Sequence, residues 1–429
     1  MIHGYVWAAN GNLPGDGHDL EIVVKLIQAL PRRMCFEAAS ASSIELCVAG
    51  WIAGSQYRHQ TTVFADHGGG GDPLMDVELF RLPRATTLSS WRLAYNIRQQ
   101  VERRNYELIV TQQHVATAAR IAAFNRRAPV ILQTHNFIDP PRTGHGAWAY
   151  NRVKLRQFQN LSGLTLISEA TKGRFEEQWP NVTIPRTVIS NGFDFSLWHP
   201  ATEKENLIVV VGRAHDTKGI VEAALGVATF LATSPEWRAS FILSRIDGAP
   251  RYFNEVCKIL TPLSDQCDIE IDIPFERVQQ ITERAAISVV ASKWAEPFGR
   301  TALEAHAAGA ALISSGTGGL REISADAAEY LTEISGPAIA EKLSFLNSNE
   351  VRRKQIAADG AERVRRHFRL APMPQDRAGN MPAICERLDR FYEDVLMRHK
   401  SKFAIASTRR LTSAYGRKSI INNDSNISK

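Results

Sequence analysis

Residues 292–323 read SKWAEPFGRTALEAHAAGAALISSGTGGLREI. The apolar run just before them, Ala286–Ala291, has the length of a buried strand. A short loop, Lys293–Gly299, then leads into a helix from about Arg300. Strand, loop and helix in that order form the repeating unit of a parallel sheet. Glycine at 299 lets backbone N–H groups approach a ligand closely. The helix start beyond it offers unpaired donors and the positive end of a macrodipole, which suits a diphosphate. Glu296 sits in the loop and Glu304 one to two turns into the helix. Glu304 can accept hydrogen bonds from ribose hydroxyls, and Glu296 can reach a sugar beyond the phosphates.

Outward from this segment the same alternation continues. After Pro200, strands are expected at Leu207–Val211, Ser240–Leu243, Cys267–Ile271, Ala286–Ala291 and Ala311–Ser314. Helices fall at Ile220–Thr233, Glu276–Glu283, Arg300–Ala308 and Pro337–Asn347. The first half predicts strands at Gly4–Ala9, Ile44–Ala49, Glu107–Thr111, Val130–Gln133 and Gly163–Ile167. Helices are expected there at Leu20–Leu30, Trp91–Arg104 and Val115–Asn125. The pattern predicts an α/β chain of two halves, each a parallel sheet covered by helices. The polar stretch Ser190–Glu205, with Asn191-Gly192 and His199-Pro200, reads as the junction. A last helix is expected over Ile384–Arg398.

A second segment bears on chemistry. Val209–Gly219 reads VVVGRAHDTKG. An apolar strand ends at Gly212-Arg213, and Lys218-Gly219 opens the next helix. Two cations at the carboxyl end of a parallel sheet can clamp a diphosphate and stabilise its departure. A lysine at a helix start opposes the dipole, which argues for a functional reason for Lys218. In the first half, His135 follows a strand in Gln133-Thr134-His135-Asn136, and His114 follows another in Gln112-Gln113-His114.

Together these residues resemble the nucleotide-sugar-dependent retaining glycosyltransferases of the GT-B fold, family 4 in particular. The resemblance is carried by Asn191-Gly192, Gly212-Arg213, Lys218-Gly219, Glu296-Pro297-Phe298-Gly299, Glu304-Ala305, Gly309, Gly318-Gly319 and Glu322. It implies two Rossmann-like domains facing across a cleft. An acceptor-side domain would cover 1–190 and a donor-binding domain 191–375. A helix at 376–400 would cross back to the first domain, followed by a basic flexible tail at 401–429. The donor would be a UDP-, GDP- or ADP-sugar, held by Gly212, Arg213, Lys218, Glu296, Phe298, Gly299, Arg300, Thr301 and Glu304. Catalysis would fall to Glu296, Arg213, Lys218 and His135. The family's adjacent glycines after the first strand have no clear match, and Gly15 or Gly17 are the residues that can stand for them. With no D-x-D triplet, the reading is metal-independent and without cofactor. The resemblance implies a hexosyltransferase acting on a glycan or lipid-linked acceptor in polysaccharide or lipopolysaccharide biosynthesis. The same fold also serves nucleotide-sugar epimerases, phosphorylases and non-catalytic binding modules.

Composition fits and narrows this. The chain has 429 residues, with 44% hydrophobic and 22% charged side chains, ordinary globular usage. Mean hydropathy is −0.21, and no apolar run reaches the ~18 residues of a membrane span. No secretory signal is visible at the start. Five cysteines without metal or redox spacing fit free thiols in a reducing cytoplasm. The net charge of +6 is concentrated at the end: residues 398–429 carry eight Lys/Arg and one acid. The rest is close to neutral, which argues against a nucleic-acid binder. The segment Arg398–Lys418 mixes these cations with Phe403, Ile405, Leu411 and Tyr415. It reads either as a solubilising tail or as a peripheral contact with an anionic membrane. A second basic stretch, Arg142 and Arg152–Arg156, lies in the first half.

Overall fold

The computed structural model describes residues 24–38, 41–68, 70–83, 89–244, 250–372 and 382–421. The first half contains β1 (Leu26–Ala29), α1 (Ser43–Gly54), β2 (Thr61–Ala65), β3 (Glu78–Arg81), α2 (Ser90–Arg104), β4 (Leu108–Gln112) and α3 (Val115–Phe124). It continues with β5 (Val130–Gln133), α4 (Ala147–Gln159), β6 (Gly163–Leu166), α5 (Glu169–Gln178) and β7 (Arg186–Val188). Its strands form one parallel sheet in the order β3-β2-β1-β4-β5-β6-β7. Every residue of β1, β4 and β5 is buried, because helices cover both faces. Such strands read as continuous apolar runs without alternation. α2 is periodic instead: Leu93, Ala94, Ile97 and Val101 are buried. Ser89 caps its start, and Asn105 ends it at φ 57°.

Two expectations are overturned here. The helix expected at Leu20–Leu30 is, where described, the strand Leu26–Ala29. Leucines at 26 and 30 imitate a helical repeat, but the run is a central strand buried on both faces. The strand expected at Ile44–Ala49 belongs instead to helix α1. Val48, Ala49, Trp51 and Ile52 are all buried, so no polar face marks the helical period. Its start was nonetheless written in the sequence as Ser42-x-x-Glu45, a capping box. Glu45 accepts the Ser42 N–H at 2.7 Å and, with its other oxygen, the Phe36 N–H at 2.7 Å. The strand expected at Gly4–Ala9 lies outside the described residues.

The second half runs through β8 (Glu205–Arg213), α6 (Ile220–Leu231), β9 (Arg238–Ser244), α7 (Pro250–Leu260), β10 (Cys267–Ile271), α8 (Phe275–Arg284) and β11 (Ala285–Val290). It ends with α9 (Arg300–Ala307), β12 (Ala311–Ser314), α10 (Gly319–Ser324), β13 (Glu329–Tyr330), α11 (Gly336–Ser348), α12 (Glu350–His367) and α13 (Ile384–Ile421). Its sheet is also parallel, in the order β10-β9-β8-β11-β12-β13.

Two chain passages join the halves side by side. The Phe193 N–H donates to Phe368 O at 2.8 Å, and the Leu370 N–H returns to Phe193 O at 3.3 Å. From there α13 crosses back onto the first half. Its Asp389 accepts from Ser55 Oγ at 2.5 Å and from the Gln56 N–H at 2.9 Å. Gln28 donates to Tyr392 Oη at 3.2 Å. α13 also runs past Arg398 to Ile421, so the backbone at 401–421, expected as a flexible tail, is helical. No described helix is long and apolar enough to cross a membrane.

Candidate active site

The loop between β11 and α9 brings the sequence-predicted residues together at the carboxyl edge of the second sheet. Gly299 stands at the α9 N-cap with φ 104°. A side chain there would be strained and would run into Leu320. Gly318 holds φ 58° where a Cβ would collide with the Glu296 backbone. The Gly319 N–H then donates to Glu296 O at 2.7 Å, and Thr317 Oγ1 to Trp294 O at 2.8 Å. The Gly-Gly pair is thus the platform on which the Glu296 loop rests.

Glu296 itself is buried. Its Oε1 lies 2.5 Å from Lys218 Nζ and accepts from Ser292 Oγ at 2.6 Å. The Lys218 loop is locked to the same place, since the Lys293 N–H donates to Thr217 O at 2.9 Å. Arg213 ends β8 after Gly212 and is exposed. Among the described residues it has no ion-pair partner, so its charge is available to a ligand. Cations from β8 and its loop therefore flank the N-terminus of α9. Ser292, which orients the Glu296 carboxylate, was missed by sequence reading. Its only signal was its place at the end of an apolar strand.

Arg300, Thr301 and Glu304 lie on the first turns of α9. Arg300 Nε approaches Glu304 Oε1 at 3.2 Å, and its guanidinium lies 5.7 Å over the Phe193 ring. Burial raises the Glu304 pKa, against the lowering charge and hydrogen bond of Arg300. Phe298 is buried and packs edge-on against Phe368, with ring centroids 5.8 Å apart. Its ring is thus part of the core. A cavity of about 120 Å³ opens behind these residues, on the hinge side. Cys47, Gly192, Phe193, Trp198, Phe275 and Arg300 are among its lining. It is too small for a sugar nucleotide, whose pockets run to roughly 300 Å³ or more.

Across from the donor-side residues stands the carboxyl edge of the first sheet. Ser168, just after β6, donates from Oγ to Pro297 O at 2.5 Å, and the Glu169 N–H donates to Glu322 at 2.7 Å. These bonds bring the Glu296 loop against the first domain. His135 follows the neighbouring β5. Its ring lies 5.4 Å from that of Trp51, and Nε2 is 2.8 Å from Gln112 Oε1. Gln112 spends its amide protons on Gln28 and Gln133, both at 2.9 Å. Its oxygen therefore accepts from Nε2–H, which leaves the His135 Nδ1 lone pair free. Burial pushes the His135 pKa down to about 3. The imidazole is thus a neutral hydrogen-bonding group, poorly suited to carry a proton at neutral pH. His114 lies two strands from β6, at the end of β4.

Gly15 and Gly17 lie outside the described residues. The connection from the first described strand to α1 spans 30–42 and reads LPRRMCFEAASAS. It carries arginines at 32 and 33. Among the described residues no cluster of His, Cys, Asp or Glu is arranged to hold a metal.

Comparison with known proteins agrees with this geometry. The model for glycosyl transferases group 1 matches residues 198–363, and that for Glycosyltransferase Family 4 matches 53–197. Alpha-maltose-1-phosphate synthase of Mycolicibacterium smegmatis is 23% identical over 287 residues, covering 60% of this chain and 74% of that protein. A glycosyltransferase from Rickettsia africae superposes with a TM-score of 0.66 at 14% identity, covering 87% of this chain and 99% of that one. Anabaena HepE in complex with UDP gives 0.63 at 18% identity, over 81% and 96% of the two chains. The two family matches adjoin at the hinge between the two sheets, and the chain belongs to the family 4-like glycosyltransferases of the GT-B fold.

Proposed function

We propose that this glycosyltransferase moves a hexose from a nucleotide sugar to a glycan or lipid-linked acceptor, with retention at the anomeric carbon. The observation that carries the reading is the convergence of Arg213, Lys218, Glu296 and the α9 N-terminus at one sheet edge. Arg213, Lys218 and the α9 N–H groups would hold the diphosphate and stabilise its charge as the bond to the anomeric carbon breaks. The acceptor hydroxyl would attack on the face from which the phosphate leaves, its proton passing to the departing oxygen. Glu296 and the neutral His135 would hold sugar hydroxyls, and Glu304 those of the ribose. The cations supply the charge that a metal would otherwise give, so the reading is metal-free. Support for a UDP-sugar comes from the HepE structures, solved with UDP and with UDP-glucose.

A thermal-shift screen of UDP-, GDP- and ADP-sugars tests this. One nucleotide series should raise the melting temperature, and Glu304→Ala should lose most of that shift. Turnover should survive EDTA, and nucleoside diphosphate should appear only when an acceptor is supplied. No shift with any donor would overturn the reading. Diphosphate release without acceptor would favour the other chemistries of the fold.

On this reading the acceptor would be met at a cytoplasmic membrane face, as an intermediate of polysaccharide or lipopolysaccharide assembly. Support comes from the basic end of α13 and from α4, where Trp148 and Val153 are 71% and 54% exposed beside Arg152 and Arg156. Each cation near an anionic bilayer contributes about 1 kcal/mol. The full chain should co-sediment with anionic but not neutral vesicles, and salt should release it. A chain ending at Lys402 keeps the His399 contact with Arg127 O at 3.1 Å and should lose most binding. Undiminished sedimentation of that shortened chain would remove the tail from the account.

A further inference from the structure

The loop after β1 turns sharply at Pro31–Met34, where the Met34 N–H donates to Pro31 O at 3.2 Å. Arg32 and Arg33 occupy the two central positions. Arg33 has φ 73°, at the position where such a turn takes glycine. The turn is braced by Asp66, whose carboxylate accepts the Arg33 N–H at 2.8 Å and whose own N–H donates to Met34 O at 2.7 Å. Glycine would keep each of these backbone bonds and remove the strain. The turn therefore gives no reason for an arginine, and a strained non-glycine residue at a cleft points to a role for its side chain.

β4 lies beside β1 in the sheet and ends in a second tight turn. Gln113 has φ 63°, and the His114 N–H donates to Gln112 O at 2.8 Å. The chain runs outward from this pair of strands in both directions, to β2 on one side and β5 on the other. That is the switch point of an open α/β sheet, where ligands enter beyond the carboxyl ends. Arg32, Arg33 and His114 share this mouth. Lys154 of α4 joins them: burial first, then the charges of Arg32 and Lys154, lower the His114 pKa. Arg142 lies close to Lys154 in turn, and Asp139 is the acid that faces it. Among the described residues, Arg33 and Lys154 form no salt bridge. The donor's diphosphate already has its own cations on the other domain.

We infer that this mouth is a subsite for a phosphate group carried by the acceptor, with Arg32, Arg33 and Lys154 as its cations and His114 as a further donor. It rests on the transferase reading, in which this domain takes the acceptor. Arginine forks match phosphate oxygens in pairs, and the phosphate could belong to a sugar phosphate or to a lipid phosphate.

Titration calorimetry on the full chain with UDP present separates these sources. Glucose 6-phosphate and geranyl phosphate are the probes, with glucose and geraniol as uncharged partners. At least one phosphate should bind tenfold or more tightly than its partner, and which one does so names the source. Arg33→Gly and Lys154→Gln should each weaken that binding at least tenfold while UDP affinity stays within twofold. Arg33→Gly should melt at or above the wild type, which excludes misfolding as the cause. Phosphate probes no tighter than their partners, or unchanged in both variants, would overturn the subsite. So would an equal loss of UDP affinity, since the cations would then serve the donor. A wild type that binds no UDP would strike the transferase reading instead, and the phosphate comparison would be scored without UDP.

Discussion

Lys218→Ala is expected to lower turnover by roughly 100- to 1,000-fold, the scale of removing one preorganised charge donor at a transition state, about 3–4 kcal/mol. The geometry gives this residue two duties. Its ammonium stands where leaving-group charge develops, and it lies 2.5 Å from the buried Glu296 carboxylate. Its loss leaves that carboxylate with Ser292 as its remaining side-chain partner, so part of the effect comes from a disturbed Glu296. Arg213→Ala separates the two. Arg213 is exposed and holds no other side chain in place, so its removal disturbs nothing except a ligand. If both variants lose turnover while UDP-sugar affinity falls less, both cations act on the transition state. If Lys218→Ala is impaired and Arg213→Ala turns over like wild type, the role of Lys218 is to position Glu296. Wild-type rates in both would remove the diphosphate clamp.

The donor side was legible because its chemistry is local. Glu296, Phe298, Gly299 and Glu304 lie within one strand–loop–helix unit, and Lys218 opens the analogous helix of its neighbour. Adjacent strands in a parallel sheet bring such loops together without further information. Five strands of the second half were read for the same reason, Cys267–Ile271 and Ala311–Ser314 to the residue, whereas α7, α10, α12 and β13 went unread. The acceptor side was less legible. β1 and α1 are enclosed on all sides, which erases the alternation and the amphipathic stripe that reveal elements in sequence. Taking β1 for part of a helix hid the connection after it, so the arginines at 32 and 33 were not singled out; Gly15 and Gly17 lie outside the described residues. The strain at Arg33 could not be read at all, since a backbone angle is set by the Asp66 carboxylate 33 residues away.

His306 should make the fold acid-sensitive well above the range of ordinary carboxylates. It lies on α9 and is fully buried, with Nε2 2.9 Å from Ser324 Oγ. Gly360 of α12 packs against the ring so closely that no side chain fits there. Burial first, then the charge of Arg363, push its pKa down to about 3 from 6.5. Between those values the unfolded chain binds a proton that the folded one refuses. Stability is therefore full above about pH 6.5 and is lost as pH falls toward 3, at about 1.4 kcal/mol per pH unit. His135, also held near 3, adds in the same direction. Glu304, Glu322 and Asp389 oppose it, because burial raises their pKa values and acid relieves that cost. The wild-type slope alone is thus a sum of unlike contributions, and a paired comparison isolates the histidine. His306→Gln keeps a donor for Ser324 and cannot titrate. Urea unfolding of both full chains in steps from pH 6.5 to 4.5 should show the variant's stability falling less steeply, by about 1.4 kcal/mol per pH unit. Equal slopes would mean that His306 takes up its proton in the folded state, and that the packing of α12 on α9 gives way to admit water.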